Sequence, residues 1–103
     1  MPSSKSYLQF ILDQLSELEG ITFRAMMGEY ILYNRGKIVG GIYDDRLLVK
    51  PTKSARALLP DAVLEAPYDG AKEMLLVDAV DDRQALAALF NALYDDLPAS
   101  PKK

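Results

Sequence analysis

The side chains able to do chemistry in this chain are carboxylates, lysines, arginines, tyrosines and hydroxyls, because it contains no histidine and no cysteine. Zinc, copper, haem and iron–sulfur sites lean on imidazole or thiolate, so neither a metal nor another cofactor is expected. Serine–histidine and cysteine–histidine nucleophile pairs are excluded for the same reason. Carboxylates occur as neighbours at Asp44-Asp45, Asp81-Asp82 and Asp95-Asp96. Adjacent residues on one element point in different directions, so these pairs suit a turn, a helix cap and a solvated helix end better than acid–base catalysis. A small enzyme using carboxylate, Lys or Tyr is therefore a remote alternative, and no catalytic residue is assigned.

Two groupings have more to offer. Lys53 and Arg56 follow Thr52, which can cap a short helix, and backbone amides at such an end together with positive charge favour an anion. A plain solvated basic face is the competing reading. Tyr30, Tyr33 and Tyr43, interleaved with Arg24 and Lys50, could stack bases on a sheet, although the ribonucleoprotein sequence motif is missing and core packing accounts for tyrosines as well. Net charge is −3, yet it is unevenly spread: residues 24–56 carry +4 and the remainder −7. An acidic total argues against tight autonomous nucleic-acid binding, which draws on phosphate neutralisation.

These residues are positioned by one domain, since 103 residues allow a single core. Leu8, Ile11, Leu12, Leu15 and Leu18 mark an amphipathic first helix, capped by Ser6 with Gln9 or begun earlier at Ser3 or Ser4, and stopped by Gly20. Strands are expected near Thr22–Met26, Tyr30–Tyr33, Lys37–Tyr43 and Arg46–Lys50, with Asn34-Arg35-Gly36 and Asp44-Asp45 as hairpin turns. A short helix from Lys53 to Leu59 ends at Pro60. Residues 61–70 read as one helical turn plus irregular chain, and Lys72–Ala79 as a fifth strand. Asp81 and Gln84 open a final helix striped by Ala85, Leu86, Leu89, Phe90, Leu93, Tyr94 and Leu97. The class is α+β: an antiparallel sheet of about five strands packed by N-terminal and C-terminal helices, spanning 1–97, with 98–103 as a disordered tail. Arg24 and Met26 share one side of the first strand, and Arg46 and Lys50 one side of the fourth. A basic face results if those sides coincide. No run approaches membrane-span length and no leader is evident, so a cytoplasmic protein is expected.

The order Arg24-Ala25-Met26-Met27-Gly28-Glu29-Tyr30-Ile31-Leu32-Tyr33, then Gly36-Lys37, then Asp44-Asp45-Arg46-Leu47-Leu48-Val49-Lys50, resembles the N-terminal domain family of TfoX (Sxy), bacterial competence regulators. Glu29 stands where the family often has a second glycine, and the length matches the N-terminal domain standing alone. The resemblance implies an α+β domain without known catalytic activity, a protein-interaction module of transcriptional control. Its implied partner is a transcription factor such as the cyclic AMP receptor protein, or RNA polymerase, rather than DNA directly. A nucleic-acid or anion-binding module is the alternative.

The expected interaction surface is Arg24, Met26, Met27, Gly28, Glu29, Tyr30, Arg46 and Lys50. Met26 and Met27 have two readings: filling an irregular gap beside Gly28, or lining a flexible docking surface. Ala87, Ala88 and Ala92, off the last helix's main stripe, offer a flat face for a homodimer.

Overall fold

The computed structural model describes residues 4–78 and 80–97; the tail expected at 98–103 lies outside them. Ser4 caps α1 (Lys5–Gln14), its Oγ accepting from Tyr7 N at 3.1 Å, so the helix starts two residues before the Ser6 alternative. Four strands follow: β1 (Ile21–Met26), β2 (Glu29–Asn34), β3 (Lys37–Ile42) and β4 (Leu47–Val49). Then come α2 (Lys53–Leu58), β5 (Leu64–Glu65), β6 (Met74–Leu76) and α3 (Arg83–Asp96). The N-cap of α3 is Asp82, one residue later than Asp81, because its carboxylate accepts from Ala85 N at 3.0 Å.

The strands form one antiparallel sheet in the order β1-β2-β3-β4-β6-β5. It has one strand more than expected, since Leu64–Glu65 pairs with Leu75 and Met74 where the sequence suggests irregular chain. Strands β1 to β4 are joined by two-residue turns whose central residues take positive φ: Met27 and Gly28 (54° and 86°), Arg35 and Gly36 (51° and 86°), Asp44 and Asp45 (54° and 56°). That pattern belongs to type I′ turns, whose twist matches the strands they connect.

Register assigns the two faces. Tyr30, Leu32, Ile42, Leu47, Val49 and Leu75 turn toward the helices and join Leu8, Ile11, Leu15, Leu86, Leu89, Phe90 and Leu93 in one core. Pairing slips between Tyr33↔Ile38 and Leu32↔Gly40, making Val39 a bulge residue, fully buried. Gly40 is required here: a Cβ would sit 2.2 Å from the Leu48 carbonyl oxygen. Polar ties fix the layers. Buried Asn34 donates from Nδ2 to Phe90 O at 3.0 Å, and Gln14 Nε2 to Val80 O at 2.9 Å. Lys37 Nζ donates to Tyr94 O and Leu97 O at 3.0 and 2.8 Å, placing a cation at the negative end of α3. Among the described residues no helix is long and apolar enough to cross a membrane.

Candidate interaction surface

The face away from the helices is built by alternate residues of each strand. One cross-strand row runs Arg24, Ile31, Gly41, Leu48, Leu76. Arg46 and Lys50 flank Leu48 at alternate positions, so the basic sides of the first and fourth strands do coincide. They do not form a continuous patch. Three strand spacings, about 14 Å, separate Arg24 from the Arg46–Lys50 side, and Ile31, Tyr33 and Ile38 occupy the interval. Arg46 is also engaged: its guanidinium pairs with Glu65 and donates from Nε to Tyr43 O at 3.1 Å.

Two members of the expected surface stand elsewhere. Tyr30 is 9% exposed, on the helix side, packed edge-on against Phe23 with ring centroids 5.9 Å apart. It is a core residue because its strand position is even with Leu32, not with Ile31. Glu29 accepts from Asp44 N at 3.0 Å, so it ties the first hairpin to the third turn. Arg24, Met26, Met27 and Gly28 gather at one end of β1, apart from Arg46 and Lys50. Met26 is 46% and Met27 96% exposed, which overturns the reading of these methionines as gap fillers. Gly28 at φ 86° completes the turn beneath them.

β1 itself is an edge strand. In a two-residue hairpin the closing pair, here Met26–Glu29, exchanges both hydrogen bonds, and bonded pairs then alternate along the ladder. Met26, Arg24 and Thr22 therefore spend their amides on β2, while Ile21, Phe23 and Ala25 direct theirs outward. The strand contains no Pro and no bulge, two usual protections of an edge, and Arg24 is its one charge. Phe23 is 44% exposed and overlooks a groove of about 450 Å³ lined by Leu12, Leu15, Leu18 and Ile21. Sequence reasoning missed Phe23; its signal was an aromatic in a first strand that alternation had already given one polar side.

The expected anion site is occupied by the protein. Thr52 does cap α2, its Oγ1 accepting from Ala55 N at 3.2 Å. The amide and hydroxyl of Ser54 then donate to the two oxygens of Asp96, at 2.7 and 3.0 Å. These bonds, chiefly the one from the Ser54 amide and aided by Thr52 and the charge of Lys53, hold the Asp96 carboxyl below its usual range. Asp96 is thus not a free helix end but the anion that Thr52, Lys53 and Arg56 were expected to receive, and Arg56 Nε turns back to Pro51 O at 3.2 Å. The other carboxylate pairs are structural too. Asp45 accepts from the Ser4 amide and hydroxyl, and Asp82 caps α3. Among the described residues no group of three or more acidic side chains could hold a metal ion. On α3, Ala88 is exposed, whereas Ala87 and Ala92 are half-buried.

No solved structure matches this chain. It is 33% identical over 105 residues to a protein of Spirochaeta aurantia described as an uncharacterized 12.7 kDa protein in the trpE 5′ region, covering all of this chain and 91% of that protein. The family model of the TfoX N-terminal domain matches residues 13–96, which include the edge strand, its exposed methionine turn and the sheet behind them, and the chain belongs to that family.

Proposed function

We propose that this domain is a non-catalytic protein-interaction module of transcriptional regulation, working in the bacterial cytoplasm, and that it docks a partner protein along β1 and the Met27–Gly28 turn. The single observation that carries the reading is Met27. Its backbone sits at φ 54°, where Asn or Gly is favoured and a long side chain is strained, and its side chain is 96% exposed. A residue that costs stability and packs against nothing in the fold is best explained by what it touches outside it. Met26 on the open face and Phe23 on the helix-side face add apolar contact on either side of the strand, outward amides of β1 offer strand addition, and Arg24 supplies a charge at the rim.

The proposed partners are a transcription factor such as the cyclic AMP receptor protein, or RNA polymerase. Binding of each purified candidate to the wild-type chain, Met27→Asn and Phe23→Lys tests the idea. A complex with one of them that Met27→Asn weakens about tenfold is the expected result. Equal binding by both variants, or none by the wild type, overturns it. A second copy docked on Ala88 is the other proposed partner, and light scattering that finds only the 11.4 kDa species at micromolar concentration excludes it.

A further inference from the structure

A second recess lies on the open face at the opposite side of the sheet from β1. The chain between β5 and β6 folds back there, and Pro67, Tyr68 and Met74 face Ile38, Tyr43 and Lys50 across a cleft of about 440 Å³. Its size falls in the range of small-molecule sites, which are mostly apolar with a few polar groups. The walls suit an apolar body: Tyr68 is 64% and Ile38 42% exposed, both leaving wet surface that a ligand would cover. Tyr43 lies over Gly41, whose missing Cβ would meet its ring and hydroxyl at 2.7 and 2.8 Å, so the ring is held against the sheet. Burial, with Tyr68 and Glu29 nearby, raises its phenol's pKa and keeps it a neutral hydrogen-bond donor.

Charge gives the ligand its sign. Lys50 and Lys72 both line the cleft, against one acid, Glu73. Among the described residues neither ammonium enters an ion pair or side-chain hydrogen bond, while Arg46 is already matched by Glu65. Two unmatched cations over an aromatic and proline-lined wall complement a molecule that is flat and apolar at one end and anionic at the other.

We propose that this cleft binds a small organic carboxylate with an aromatic body, its ring against Tyr68 and Ile38 and its carboxylate between Lys50 and Lys72. The site is separate from the β1 edge, so either can fail without the other.

The test uses the whole chain, isotope-labelled, with 2-naphthoate as probe, 2-naphthamide as the neutral analogue and acetate as the anion without a ring. Saturable shifts in the amides of Ile38, Tyr43, Lys50, Tyr68 and Met74 are expected with 2-naphthoate. Binding of 2-naphthamide should be about tenfold weaker, as should binding of 2-naphthoate to Lys50→Gln or Lys72→Gln, whose spectra otherwise report an intact fold. Tyr68→Ala, at an exposed ring, should lose the ring's contribution without unfolding the chain. The proposal is overturned if the shifts map to Phe23 and Met26 instead, if amide and carboxylate bind alike, if acetate alone reproduces the effect, or if millimolar 2-naphthoate shifts nothing.

Discussion

At the scale of single residues, side chains that read as chemistry in the sequence serve as fasteners in the fold. Asp96 is the clearest case, joining the end of α3 to the start of α2 through Ser54. Because its pKa is lowered on folding, the unfolded chain binds a proton more readily, and its contribution is present above the unfolded carboxylate value of about 4 and fades as pH falls through the folded one. Asp96→Asn should lower the midpoint of thermal unfolding at pH 7, and the gap from wild type should close as acid protonates the folded carboxyl. A gap unchanged at low pH would show that the carboxylate charge is not what matters. Asn34 makes a different prediction. Its Nδ2 donates to Phe90 O, a carbonyl that also accepts within the α3 ladder, in a site that water does not reach, so Asn34→Leu removes one buried hydrogen bond and should cost about 0.5–1.5 kcal/mol in chemical denaturation.

At the scale of elements, β1 combines a well-formed inner side with an outer one that only Arg24 defends. Hydrogen exchange reads this directly: amides of Thr22, Arg24 and Met26 should be protected by β2, and those of Ile21, Phe23 and Ala25 should exchange quickly until a partner strand covers them. Uniform protection along free β1 would contradict the bonding pattern. The turn that follows makes the companion prediction. Met27→Asn supplies an Asn-Gly type I′ turn and should raise stability by about 0.5–1 kcal/mol while weakening partner binding, a trade expected where a residue is kept for contact rather than for folding. Elements such as these were legible to unequal degrees. Helices α1 and α3 and the paired turns announce themselves through spacing and turn chemistry, which are local. β5 does not, because two residues of Leu and Glu carry no period and become a strand only by lying beside Met74 and Leu75. The face on which Tyr30 falls was equally hidden, since alternation gives two sides and only tertiary packing says which is inward.

At the scale of the whole molecule, helices on one face of the sheet and charge divided along the chain bear on the choice between protein contact and nucleic acid. The basic surplus of residues 24–56 suggested a phosphate-binding face, and register does put Arg24, Arg46 and Lys50 on the same side. The fold then uses up much of that charge. Arg46 is matched by Glu65, and Arg35 and Lys37 stack on Tyr94 at 3.8 and 3.9 Å from its ring centre, on the helix side. Lys53 serves the Asp96 clamp. What is left on the open face is Arg24 near one side and Lys50 with Lys72 near the other, and it is carried by a molecule of net charge −3 that repels a polyanion at long range. Affinity for nucleic acid grows with the number of phosphates neutralised together, each adding about 0.9 to the logarithmic salt slope on duplex DNA. Three cations, Arg24 at one side and Lys50 with Lys72 at the other, should give a slope no steeper than about −3 and no retarded band at physiological salt. A gel shift series from low to physiological salt measures both quantities, and a clearly steeper slope would restore the nucleic-acid reading and remove the reason for reading the cations of the open face as a small-molecule site.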